Sequence, residues 1–130
     1  KMDKMKILVV DDEQDAELLF VQQFRNEIKS GTIAFHFVLD AVAALNYLET
    51  LEPFDVVLVL SDINMPGITG IELLKRIKNQ FPKLHVVMVT AYDDPHNTEN
   101  AKQFGASGFI IKPVNFHELK QKINEISLQN

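Results

Sequence analysis

Five short apolar runs separated by segments of helical periodicity predict an α/β domain, with parallel strands joined by helical crossovers. Two further observations point the same way: the runs are rich in β-branched residues, and most stop abruptly at a polar residue. The chain has 130 residues, 46% of them apolar and 24% charged, with 5 Gly and 5 Pro. That composition suits one globular domain spanning 1–130, without linker or repeat.

Ile7–Val10 is the first run, closed by Asp11 and Asp12. From Gln14 to Ser30, Ala16, Leu19, Phe20, Phe24 and Ile28 recur at steps of three and four, and Gly31 follows as a C-terminal stop, so one amphipathic helix is expected. Ile33–Leu39 reads as the second strand and Ala41–Leu51 as the second helix, ended by Pro53. Phe54–Ser61 is the most apolar stretch and belongs in the middle of the sheet, where both faces are covered. Met65-Pro66-Gly67 makes a loop, Ile71, Leu74 and Ile77 mark the third helix, and Pro82 ends it. Leu84–Thr90 is the fourth strand. Asp94-Pro95 resembles a cap with proline at the first helical position, opening a polar fourth helix that stops at Gly105. Gly108–Ile111 is the fifth strand. Asn115 and Glu118 have capping-box spacing, and Phe116, Leu119, Ile123 and Ile126 put one apolar stripe on the last helix.

Several function classes fall away. The apolar run Val56–Leu60 is far below the roughly 18 residues of a membrane-spanning helix, so no membrane segment is expected. Lys4 and Lys6 precede only Ile7–Val10 before the first aspartate, which lacks the apolar region of a signal peptide, and the protein reads as cytoplasmic. Without cysteine there are no disulfides, thiolate zinc sites or thiol nucleophiles. A net charge of −5 with scattered basic residues argues against direct nucleic-acid binding. His36, His85, His96 and His117 show no metal-ligand spacing and read as structural or surface residues.

In open parallel sheets the functional crevice lies beyond the carboxyl ends of the strands. Here the first strand ends at Asp11-Asp12, the third at Asp62, the fourth at Thr90 and the fifth at Lys112. Clustered carboxylates repel, and a hard divalent ion is one remedy. Three aspartates and one lysine leave a net −2, which one Mg²⁺ or Mn²⁺ ion balances. A metal, an ammonium and a hydroxyl around a carboxylate suit phosphoryl transfer, with one aspartate as nucleophile.

Asp11-Asp12, the S-D-I-N-M-P-G stretch from Ser61 to Gly67, Thr90-Ala91 and Lys112-Pro113, in this order at these strand ends, resemble the receiver domain of two-component response regulators of the chemotaxis type. The resemblance runs from Lys6 to about Ser127. It implies a doubly wound five-stranded sheet of order 2-1-3-4-5 with helices on both faces. It also implies that Asp62 accepts a phosphoryl group from a sensor histidine kinase or histidine phosphotransfer protein. Asp12 would be a direct metal ligand, Asp11 would act through metal-bound water, and the backbone carbonyl of Asn64 would complete the shell. Lys112 would bind the phosphoryl group, Thr90 would swing inward to meet it, and Phe109 would be the switch aromatic. Ala91 leaves access to the acceptor, and Pro113 would follow a cis peptide bond. Such a domain catalyses only its own phosphorylation and dephosphorylation. Its output is a changed face formed by the fourth helix, fifth strand and last helix, which controls an output domain or partner and can support a homodimer; no output domain follows within these residues.

Two features depart from the family pattern. Asp55 stands seven residues before Asp62 where five is usual, so the third strand is expected to be two residues longer without swapping its faces. Phe109 stands where many relatives have Tyr. Tyr92, two after Thr90, lies where the family tunes phosphoryl lifetime. Three other readings fit less well. A phosphatase of the haloacid dehalogenase kind needs an acid two after the nucleophile, where Asn64 stands. A flavin or nucleotide site needs a Gly- or Ser/Thr-rich loop after the first strand, where Asp11-Asp12-Glu13 stands. A degenerate docking module would not retain all five site residues.

Overall fold

The computed structural model describes residues 5–50, 58–65, 67–91 and 95–129. Five strands, β1 (Met5–Val10), β2 (Ile33–Val38), β3 (Leu58–Asp62), β4 (His85–Thr90) and β5 (Gly108–Ile111), form one parallel sheet of order β2-β1-β3-β4-β5. The helices are α1 (Asp15–Gln23), α2 (Arg25–Ser30), α3 (Ala41–Glu49), α4 (Gly70–Gln80), α5 (Pro95–Gln103) and α6 (Phe116–Gln129). Among the described residues no helix is long and apolar enough to cross a membrane.

Alternation along the strands divides the core in two. Leu8, Val10, Val59, Val86 and Met88 face α3, α4 and α5, meeting Ala44, Leu73, Leu74, Ile77 and Ala101. Ile7, Val9, Leu58, Leu60, Val87 and Val89 face the other way, toward Phe20, Phe24, Leu119 and Ile123. β3 is buried along its whole length, as a central strand covered on both faces must be. Beneath α1, Phe20 meets Phe116 edge-to-face at 5.2 Å between centroids, and Phe24 meets Phe35 at 4.9 Å. Each such pair adds about 0.5–1.5 kcal/mol beyond its burial.

The single helix expected over 14–30 is divided. Phe24 leaves helical geometry at φ −108°, ψ 23°, although its N–H still reaches Phe20 O at 2.9 Å and its carbonyl receives the Ile28 N–H at 2.9 Å. The break accompanies complete burial of the Phe24 ring in the aromatic cluster, a tertiary demand that overrides local periodicity. α2 then closes on Gly31 at φ 80°, the left-handed stop expected of it.

Other boundaries follow the capping chemistry. Asp40 accepts the Ala43 N–H at 2.8 Å, Thr69 the Glu72 N–H at 3.2 Å, and Asn115 Oδ1 the Glu118 N–H at 3.0 Å. Pro95 opens α5 as expected. The second strand is one residue shorter than expected, Leu39 being exposed beyond its end. Residues 51–53, the early part of the expected third strand with Asp55, Pro66, Tyr92 and Asp94 lie outside the described residues. Each histidine is structural or superficial: His36 stacks on Tyr47 at 3.7 Å, His85 Nδ1 lies 2.9 Å from Ser107 Oγ, His96 contacts Asn100 and His117 is exposed.

Candidate functional site

Strand register assembles the site. Val10 pairs with Ser61, so Asp11 emerges level with Asp62, and Asp62 pairs with Val89, one residue before Thr90. Thr90 pairs with Ile111, which delivers Lys112 to the same rim. Two further backbone bonds tie the rim: Lys112 N–H to Thr90 O at 2.8 Å and Ile63 N–H to Val89 O at 3.0 Å.

Asp62 is only 3% exposed, yet both its carboxylate oxygens are engaged. Oδ2 accepts from Lys112 Nζ at 2.8 Å, and Oδ1 accepts the Asn64 N–H at 3.3 Å. Carboxylate oxygens of Asp11, Asp12 and Asp62 lie within 4.8 Å of one another. Partial burial, then the charge of Asp62, push the Asp11 carboxyl above its usual range, against the opposing pull of the Glu13 N–H bonded to its Oδ1 at 2.9 Å. Burial draws Lys112 down, but its bond to Asp62 and the charges of Asp62, Asp11 and Glu13 outweigh burial and hold it above the usual lysine range. Lys112 therefore stays charged beside the Asp62 carboxylate. Three hard oxygen donors crowded against one cation fit a divalent ion of the Mg²⁺ class.

Thr90 is buried, and among the described residues its Oγ1 makes only a long 3.5 Å contact with the Ala91 carbonyl. Ala91 is exposed beside it. Phe109 sits half-buried on β5 next to Met88. The Lys112–Pro113 peptide is cis, as expected. The structure thus brings Asp11, Asp12, Asp62 and Lys112 into direct association, with Thr90 tied to the backbone of Lys112.

One residue escaped the sequence reading. A Cβ on Gly70 would lie 2.2 Å from the Asp62 carbonyl oxygen and 2.6 Å from Ile63 Cα, and the Gly70 N–H bonds Ile63 O at 2.9 Å. The first turn of α4 is therefore seated on the backbone of the acceptor strand. The only hint was a second glycine three residues after Gly67.

The family model of the response regulator receiver domain matches residues 7–124. This chain belongs to that family. The receiver is 34% identical over 124 residues to the chemotaxis protein CheY-3 of Vibrio cholerae serotype O1, covering 94% of this chain and 91% of that protein. It is 39% identical over 119 residues to the DNA-binding transcriptional regulator NtrC of Proteus hauseri, covering 90% of the receiver but 23% of that regulator. Among solved structures, the signal receiver domain of an HD domain-containing protein from Pseudomonas fluorescens Pf-5 superposes with a TM-score of 0.86 at 26% identity, covering 98% of this chain and 97% of that one. The receiver fold and its strand order are as the resemblance implied.

Proposed function

We propose that this receiver is a phosphorylation-dependent signalling switch with Asp62 as phosphoacceptor. The observation that carries the reading is the buried Asp62 carboxylate, held at 2.8 Å by Lys112 within a trio of aspartates. An Asp62 oxygen attacks the phosphorus of a phosphohistidine on a sensor histidine kinase or histidine phosphotransfer protein. The new P–O bond forms as the P–N bond breaks, and the imidazole leaves with the electron pair and takes up a proton. Lys112 then transfers its hydrogen bond from the carboxylate to a phosphoryl oxygen, and the Thr90 hydroxyl turns from its long contact with Ala91 to the same group. Asp12, Asp62, the Asn64 carbonyl and, through water, Asp11 would hold Mg²⁺ or Mn²⁺, which offsets the negative charge gathering on the phosphoryl oxygens.

The product is a conformation. Movement of Thr90 frees space for Phe109 to turn inward on β5, changing the face made by α5, β5 and α6 for an output domain, a partner or a second copy. Moving from about 1:99 to 99:1 needs roughly 5.5 kcal/mol of differential stabilisation, within reach of several charge-assisted bonds. The domain turns over only its own phosphoryl group, in the cytoplasm.

Intact mass after incubation with Mg²⁺ and acetyl phosphate tests the reading. A gain of about 80 Da that is lost in Asp62→Asn and on chelation supports it. No gain with either acetyl phosphate or a phosphohistidine donor, with the fold intact, would sink it in favour of a docking module.

A further inference from the structure

α1 is thinly seated: of its nine residues only Phe20 is buried, and Leu19 is 45% exposed. Between α1 and the turn from β5 to α6 a cavity of about 480 Å³ opens directly beside Asp62, a size typical of small-molecule pockets. Leu60 and Val89 lie at its base, and Phe20, Val114 and Phe116 also line it. Its mouth is acidic, with Asp11, Glu13 and Asp15 on the α1 side and Lys112 opposite. Lys112 is already committed to Asp62, and no salt bridge among the described residues neutralises Glu13 or Asp15.

We infer that this cavity binds a small organic cation with an aromatic or branched-alkyl body, of the arylalkylamine class. The body displaces water from the Leu60, Val89 and Val114 surface and offers a ring to Phe20 and Phe116, which already meet edge-to-face. The ammonium group reaches Glu13 and Asp15, carboxylates outside the aspartate trio, so the site works with that trio filled by Mg²⁺. An anion of the same shape is repelled by the mouth, and a neutral alcohol satisfies the walls alone. The inference concerns binding and stands whether or not Asp62 is phosphorylated.

The test is a titration of the whole chain with 2-phenylethylammonium in saturating Mg²⁺, followed through methyl NMR signals. Saturable shifts of Leu19, Leu60, Val89 and Val114 are expected, with 2-phenylethanol binding about tenfold more weakly. Glu13→Gln combined with Asp15→Asn, both exposed positions, weakens the cation about fivefold or more while the free protein keeps its fold, its spectrum changing only next to the two substitutions. Ala16→Phe, which puts a ring in the cavity, abolishes the shifts. The inference is overturned by no saturation up to about 20 mM, by equal affinity for the alcohol, by indifference to the double substitution, or by saturable shifts that appear only in a parallel titration without Mg²⁺.

Discussion

Lys112 Nζ and Asp62 Oδ2, fifty residues apart in the chain, are 2.8 Å apart in space, and Asp62 is the almost fully buried partner. Lys112 is about one-third exposed, so the pair's worth to stability is discounted by solvent. Lys112→Ala also leaves the buried Asp62 carboxylate without its cation, so it should cost about 1–3 kcal/mol in a urea titration. Phosphorylation rate by acetyl phosphate should fall about 100-fold or more, since a cation aimed at developing phosphoryl charge is lost. A wild-type rate in Lys112→Ala would remove Lys112 from the chemistry.

Burial, then the charge of Asp62, raises the Asp11 carboxyl above its usual range. Asp11→Asn keeps an oxygen for the Glu13 N–H and deletes one charge from the trio, so the metal-free protein should gain about 0.5–1 kcal/mol. In the native chain Mg²⁺ at 100 times its dissociation constant should add about 2.7 kcal/mol, and Asp12→Asn should lose most of that increment. Paired urea midpoints with and without Mg²⁺ measure both effects. A metal-free Asp11→Asn protein no more stable than the native one would contradict the crowding argument.

Gly70→Ala separates close approach from backbone freedom. Its new Cβ collides with the Asp62 carbonyl, which belongs to a central strand and cannot move aside, so a loss of about 3 kcal/mol and a displaced acceptor are expected. Gly67→Ala meets open space and suffers only the positive φ of 76°, a cost of about 1 kcal/mol. Equal costs for the two would refute the steric account.

His36 stacks on Tyr47, and burial, followed by the charge of Lys6, lowers its pKa from 6.5. Its folded pKa lies below the unfolded one, so the neutral ring's contribution is present above about pH 6.5 and is lost as pH falls toward the folded value. The urea midpoint should drop between pH 7.5 and 5.5. His36→Phe, which retains the stack without a titrating group, should flatten that part of the profile; an unchanged slope would assign it to other groups.

The rim was legible because each apolar run stops on a different polar residue, and parallel strands deliver their carboxyl ends to one edge. Asp11, Asp12, Asp62, Thr90 and Lys112 were all placed that way. The break at Phe24 was not legible, since residues 14–30 keep helical periodicity and only the ring cluster around Phe20, Phe35 and Phe116 divides them. Gly70 was hidden for a related reason: its near-contact with Asp62 exists only once α4 is folded back against β3. The cis bond before Pro113 followed from family resemblance, as nothing in the local residues demands it.

Thr90 offers the cleanest separation of chemistry from switching. Among the described residues its hydroxyl makes only the 3.5 Å contact with Ala91, so the isosteric Thr90→Val should change stability by less than about 1 kcal/mol. Asp62, Lys112 and the acidic trio are untouched by that substitution, and the mass gain with Mg²⁺ and acetyl phosphate should persist. What should disappear is the coupling, because the phosphoryl group no longer has a hydroxyl to draw inward and the half-buried Phe109 ring keeps its resting environment. Aromatic NMR signals of Phe109, recorded before and after phosphorylation, report this directly. A shift of Phe109 in Thr90→Val equal to that of the native protein would show that the signal leaves Asp62 by another route.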